Sequence, residues 1–292
     1  MTTKGLIEEM MNPEIPDKIE KIGNSLIQYG PYNQRVYILH AEKQDIEALL
    51  KLVEKYVDQM KLTKVIGKIP QVCMPSFEEK NFLQEASIPD YYGNGQSAVF
   101  ASKFYDFNRS IEKKADLIKD VLHIAKEKKA KKNPSELSSS YSFKKMEFDD
   151  IFLMAEVYQV VFPSYPFPIY DPDYLKQTME EGVEYFGVFA GEKLVALSSI
   201  EPTPYPQTAE MTDFATLPDF RGKGLAGFLL EFMERYLRKH HSFKMIYTIA
   251  RAYSYGINTI FSKADYSFGG TLTNNTNIHG QIESMNIWYK KI

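Results

Sequence analysis

Asp213-Phe214-Ala215-Thr216-Leu217-Pro218-Asp219-Phe220-Arg221-Gly222-Lys223-Gly224-Leu225-Ala226 decides how the rest of the chain is read. It reads as an apolar strand, a tight turn, a glycine-bearing loop, and a helix opening near Gly224. Two glycines two apart let the main chain come close to a bulky anion with no side chain in the way. Loop N–H groups and the positive end of the following helix both point at that anion. The stretch is therefore a phosphate cradle. Its use depends on what surrounds it. A nucleotide P-loop is excluded, because the chain has no G-x-x-x-x-G-K-[S/T].

Working outward, the helix after the loop carries Leu225, Leu229, Phe232, Met233, Tyr236 and Leu237 on one face at helical spacing. Beyond it the pattern predicts a strand over 244–250, a helix over 254–263, and strands over 270–275 and 283–289. On the other side the predicted elements are a strand over 141–148, a helix over 149–162, a short helix over 173–181, and a hairpin of 183–190 with 193–201 turning at Gly191. A proline-rich connection (Pro202, Pro204, Pro206) leads into the strand 209–216. Between the two helices, Phe162-Pro163-Ser164-Tyr165-Pro166-Phe167-Pro168-Ile169-Tyr170 alternates prolines with aromatics, which stiffens a loop that presents rings. The element order is β-α-α-β-β-β-α-β-α-β-β.

Residues 1–132 read as a smaller α/β domain. A β-rich run at 35–39 precedes an amphipathic helix over 45–60, whose face is Ile46, Leu49, Leu50, Val53, Tyr56, Val57 and Met60. A strand over 64–69, a helix over 77–85 and a strand over 97–104 follow. Gly93-Asn94-Gly95-Gln96-Ser97-Ala98 superficially matches a dinucleotide fingerprint, but it precedes a strand where the fingerprint must follow one. It is read as a turn. A long helix over 110–132 becomes increasingly basic, which suits a solvated helix end at the negative pole. The serine-rich 133–140 segment is the expected linker, and 141–292 the second domain.

Composition removes other classes. A hydrophobic content of 44% and a charged content of 25% are ordinary for a soluble globular protein. A net charge of −3 gives no electrostatic case for nucleic acid. Cys73 is the one cysteine and the five histidines lack paired ligand spacing, so neither an intrachain disulfide nor a metal site is expected. The acidic start of the chain lacks an apolar leader pattern. No apolar run approaches the roughly 18–20 residues of a membrane span. A cytoplasmic protein is the expectation.

The element order around the strand–Arg-Gly-Lys-Gly-Leu-Ala–helix junction resembles the GNAT acetyltransferases, whose pyrophosphate loop Q/R-x-x-G-x-G/A maps onto Arg221, Gly224 and Ala226. The resemblance implies a mixed, twisted sheet flanked by helices over 141–292, and the smaller α/β domain before it could be a degenerate copy of that fold. It also implies acetyl-CoA as cosubstrate. Its pyrophosphate would lie on the amides of Gly222, Lys223, Gly224, Leu225 and Ala226, with Arg221 in the motif. Its pantetheine arm would run along Phe214, Ala215 and Thr216, with Asn258 as a further contact. Glu210-Met211-Thr212-Asp213-Phe214-Ala215, Thr248-Ile249-Ala250-Arg251-Ala252, and the segments from Gly270 to Tyr289 resemble the β-lysine N6-acetyltransferases. So do Ser164-Tyr165-Pro166-Phe167-Pro168-Ile169 and the first domain. These enzymes acetylate the side-chain amine of β-lysine to make the compatible solute N6-acetyl-β-lysine, and their pathway partner is a lysine 2,3-aminomutase. The alternatives are another small amine, a protein lysine, or a noncatalytic acyl-CoA-binding regulator.

Acyl transfer to an amine needs the free base, and a carboxylate is the usual remedy. Glu210, at the start of the cofactor strand, is the first candidate base. Asp213, the second catalytic candidate, is three residues on, so alternation places it on the opposite face and only one of the two can easily face the amine. Where many GNAT enzymes carry an acidic tyrosine this chain has Phe261, which leaves Tyr255 or Tyr253 to protonate the thiolate, or no acid at all. For the substrate's carboxylate and remote amine the candidates are Arg251 as a bidentate clamp and the polar run Asn274, Asn275 and Asn277. Tyr165 and Phe167 would wall the aliphatic stem.

Overall fold

A computed structural model describes residues 17–129, 137–203, 207–240 and 243–292. They form two compact units. The first takes the described residues up to Ala115 together with Gly269–Met285, and the second takes Asp116–Phe268 with Asn286–Ile292. The division differs from the expected one. Residues 133–136 of the predicted linker, and Pro204 and Pro206 of the proline-rich connection, lie outside the described residues.

In the first unit β1 (Lys18–Ile22), β2 (Ser25–Gly30) and β3 (Arg35–His40) run antiparallel. Helix α1 (Ile46–Met60) then carries the chain to β4 (Lys64–Pro70), parallel to β3. Ile46, Leu49, Leu50, Val53, Val57 and Met60 are buried, as the helical spacing predicts. A short helix, Met74–Glu78, leads to the hairpin of β5 (Leu83–Gly93) and β6 (Gln96–Phe104). The expected helix over 77–85 is thus cut short by β5. The turn between these strands is Asn94-Gly95, both at positive φ (53° and 79°), the backbone that a two-residue hairpin turn requires. The strand order is β1-β2-β3-β4-β6-β5.

The second unit holds most of α2 (Ala115–Lys129), followed by β7 (Tyr141–Lys145), α3 (Ile151–Val161) and α4 (Pro172–Glu180). The meander β8 (Glu184–Ala190), β9 (Lys193–Pro202) and β10 (Thr208–Thr216) comes next, then α5 (Leu225–His240), β11 (Met245–Arg251) and α6 (Tyr255–Lys263). The terminal hairpin, β12 (Ser267–Ile278) and β13 (Gln281–Lys291), starts and ends in this unit, while its Gly269–Met285 part belongs to the first. From β8 onward the order is β8-β9-β10-β11-β13-β12. It repeats that of the first unit strand for strand, with α5 in the place of α1. The mixed sheet with helices on both faces is the GNAT fold read from the sequence.

Two apolar layers sandwich the second unit's sheet. Ala209 and Met211 pack with Leu225, Leu229, Met233 and Leu237 of α5 on one face. Met154, Tyr158, Val161 and Leu175 of α3 and α4 pack with Tyr185, Leu197 and Ala215 on the other.

In the first unit three buried cations hold successive carbonyls of β12. Lys64 Nζ donates to Thr273 O at 2.7 Å, Arg109 Nε to Asn274 O at 2.6 Å, and an Arg35 guanidinium nitrogen to Asn275 O at 2.6 Å. Glu85 pairs with Lys64 at 2.7 Å and also accepts from the Thr273 amide. Burial nonetheless pushes Lys64 down to about 8 and Arg109 down to about 9.

Candidate active site

The site is built on β10, and the sheet opens there. β10 pairs in parallel with β11 only over Thr208–Glu210 against Met245–Tyr247, although β10 continues to Thr216 and β11 to Arg251. Beyond Glu210, β10 presents ladder groups on that side to whatever enters the split, and such groups need partners. On its other side β10 pairs with β9, where Asp213 and Phe214 together stand opposite the single Ser198. This is a β-bulge, and Asp213 sits in it with φ 55°.

The bulge resets the alternation. Ala209 and Met211 face α5, so Glu210 and Thr212 face α3 and α4. One residue past the bulge Phe214 packs on the α5 side, while Ala215 joins the α3 layer. The Asp213 carboxyl lies on the α3 side, accepting from Tyr165 Oη at 2.5 Å and Ser199 Oγ at 2.7 Å. Glu210 and Asp213 therefore share one face, which corrects the expectation that they oppose each other. Glu210 also bears electrostatically on Tyr165. Burial raises Asp213 above the ordinary carboxylate value, more than its three hydroxyl partners lower it. Tyr165 lies well above the usual phenol value, through burial first and Asp213 second.

At the end of β10 the chain makes a turn of 3-10 helix, Pro218–Phe220, and enters the loop. Gly222 and Gly224 take φ of 75° and 77°, and a methyl group at either would meet nothing within 4 Å. Space alone does not demand glycine there; the left-handed backbone and the approach of a ligand do. Among the described residues none of the amides from Gly222 to Ala226 donates to another backbone group, and the first helical bond of α5 runs from Phe228 to Gly224. Arg221 Nε donates to Thr216 O at 3.2 Å, tying the loop back to β10. Lys223 lies over the Phe220 ring at 4.6 Å. Amides without backbone partners, on an exposed loop from Gly222 to Gly224 at the positive end of α5, fit a diphosphate.

The equivalent junction of the first unit, between β3 and α1, carries Glu42 and Asp45 in place of glycines. The Asp45 carboxylate accepts from the Asn24 amide at 2.8 Å and from Ser25 Oγ at 3.0 Å. Acidic groups at that position oppose an anion, so the cradle belongs to the second unit.

Several expected site residues serve elsewhere. Asn258 is fully buried, donating to Arg251 O and Ser254 O and accepting from Asn286 Nδ2 and Trp288 Nε1, all at 2.7–2.9 Å. Its amide is saturated by the fold and leaves nothing for a cofactor contact. Asn274 spends its amide on Arg109 O and Ile111 O, Asn277 donates to Tyr32 O, and Asn275 to Thr276 Oγ1. These asparagines belong to the first unit and stitch β12 into it, which departs from the substrate role read in the sequence. Tyr255 is exposed, and its hydroxyl donates to Asp120 at 2.6 Å. That bond raises it above the phenol value, which makes it a reluctant acid. Phe261 is buried against Phe214 and Tyr266, a core ring. Arg251 ends β11 half-buried, and Phe167 packs on the α3 layer beside Tyr165.

The sequence reading overlooked Ser199, Tyr158, Tyr174 and Tyr185. Tyr185 pairs across the sheet with Ser199, which pairs with Thr212, so the three lie side by side next to Asp213. The Asp213 charge is felt by Tyr158, Tyr174 and Tyr185 as well as Tyr165.

Residues 153–254 match the acetyltransferase (GNAT) family model. The chain is 38% identical over 275 residues to the β-lysine N6-acetyltransferase of Methanococcus maripaludis, covering 94% of this chain and 98% of that one. With the β-lysine N6-acetyltransferase of Methanosarcina mazei the identity is 32%, over 80% of this chain and 92% of the relative. Among solved structures, the ribosomal-protein-S18-alanine N-acetyltransferase of Escherichia coli superposes with a TM-score of 0.46 at 16% identity, covering 52% of this chain and 94% of that one.

Proposed function

As this chain belongs to the β-lysine N6-acetyltransferase family of GNAT acetyltransferases, we propose that it moves acetyl from acetyl-CoA to the N6 amine of β-lysine. The carrying observation is the conjunction on β10: a strand split and bulged at Asp213 runs into an open glycine cradle, with two carboxylates on the face opposite α5. The cradle suits a diphosphate, the split suits a pantetheine arm, and the acidic, tyrosine-lined face suits an ammonium-bearing acceptor.

Acetyl-CoA brings an activated thioester, and the chain's residues do the rest. The amides of Gly222–Ala226 hold the diphosphate, with Arg221 fixing the loop. The ladder groups of β10 about Phe214, on the side that β11 leaves unpaired beyond Glu210, align the arm. An alkylamine has a pKa near 10.4, so at pH 7 only about one molecule in 2,500 is the free base, a deficit of roughly 4–5 kcal/mol. Glu210 takes the proton that the amine must lose, directly or through water. No tyrosine is required to protonate the leaving thiolate, whose ordinary pKa near 8.5 lets it depart as the anion. A lysine 2,3-aminomutase reaction supplies the acceptor.

Mass spectrometry of the product tests the assignment. Acetylation confined to N6 of β-lysine supports it; acetyl found only on the β-amine contradicts it.

A further inference from the structure

The Tyr158 hydroxyl is fully buried on α3 and has no hydrogen-bond partner among the described residues. Orphan buried hydroxyls are uncommon, and each calls for an explanation. On the same α3 side of the sheet the Asp213 carboxyl is held only by neutral hydroxyls: Tyr165 at 2.5 Å, Ser199 at 2.7 Å and, distantly, Thr212 at 3.5 Å. Tyr185 engages Thr178 at 2.8 Å. The Tyr165 ring packs against Phe162, which stacks on Tyr158. A half-buried carboxylate packed among aromatic rings and lacking a cation among its hydrogen-bond partners is costly as it stands. A ligand ammonium would relieve that cost, because its N–H groups can engage the remaining carboxylate lone pairs and ring faces favour a cation.

We propose that Asp213 and Tyr158, walled by Tyr165, Tyr174 and Tyr185, form a subsite that binds a protonated amine of the acceptor. The subsite rests on the amine-acetyltransferase reading for the identity of its ligand. Binding can nonetheless be measured without turnover, so the two readings fail separately. The Asp213 carboxylate takes the charge of the ammonium, Tyr158 accepts one N–H, and the rings exclude water. This assigns Asp213 to recognition, leaving the proton transfer to Glu210.

Titration calorimetry of β-lysine into the full-length protein, saturated with CoA as a non-reacting cofactor, tests the subsite. Asp213→Asn is expected to weaken β-lysine binding about tenfold or more, because a charge-assisted contact is lost. Tyr158→Phe is expected to weaken it about three- to tenfold, with the melting temperature of the free protein unchanged or raised. CoA affinity stays as in the wild type for both variants. Wild-type affinity for β-lysine in both variants would overturn the subsite, as would absence of β-lysine binding by the wild type.

Discussion

The Tyr165 hydroxyl donates to the Asp213 carboxyl at 2.5 Å, and Asp213 is the residue of β10 whose backbone turns left-handed, at φ 55°. One contact thus ties the aromatic loop after α3 to the bulge that reorients the cofactor strand. Asp213 is raised by burial, so its folded form favours the proton. For a group whose folded value lies above its unfolded one, the stabilising contribution is complete below the unfolded value and lost as pH rises through the folded one. Free wild-type protein therefore loses stability as pH climbs from about the ordinary carboxylate value of 3.8 through the raised one. Asp213→Asn removes that titration. The melting-temperature difference, variant minus wild type, should grow across this window; a difference flat with pH contradicts the burial argument.

Gly224→Val places a β-branched residue at φ 77° in the cradle. The strain costs about 1–3 kcal/mol, and the side chain stands where the diphosphate lies. We expect the KM for acetyl-CoA to rise at least tenfold while the KM for the amine changes little. Unchanged acetyl-CoA kinetics would remove the loop from the site.

Glu210→Gln deletes the assigned base without changing shape. A fall in kcat/KM at pH 7 of about 10²–10⁴ is expected, with the rate recovering toward high pH as the amine deprotonates unaided. An unshifted pH profile refutes the assignment.

Tyr255→Phe should leave turnover within about twofold of wild type, because its proton is committed to Asp120 at the surface. A loss of kcat present at neutral pH, where a tyrosine holds its proton, and fading toward high pH would restore Tyr255 as the acid.

Asn258→Ala strips hydrogen-bond partners from Asn286, Trp288 and two carbonyls in the buried interior. We expect a loss of about 3 kcal/mol in stability, read by denaturant unfolding, with the KM for acetyl-CoA preserved in the folded fraction. A selective rise in that KM at full stability would make Asn258 a cofactor contact after all.

The cofactor half of the site was legible because its chemistry is local. Arg221, Gly222 and Gly224 follow a strand and open a helix, and nothing outside that stretch is needed to see a cradle. The bulge at Asp213 was not legible, since period-two alternation carries no mark of an inserted residue, and one inserted residue moves a carboxylate to the other face. An aspartate within an apolar strand was the available hint. Asn258, Asn274, Asn275 and Asn277 look like ligand groups in a sequence, because an amide that satisfies buried backbone and one that greets a substrate are the same residue. Only distant partners such as Trp288 and Arg109 decide between them. In the first unit the sequence pattern extends a helix over 77–85 into the start of β5 and shows no strand before Asn94-Gly95, although that turn needs a strand on each side.

Release of free CoA from acetyl-CoA, measured with β-lysine beside α-lysine, spermidine and a lysine-containing peptide, tests the central claim most directly. The account predicts the highest kcat/KM with β-lysine. Tight acetyl-CoA binding with no CoA released by any of these amines, or a preference for the peptide, would contradict it.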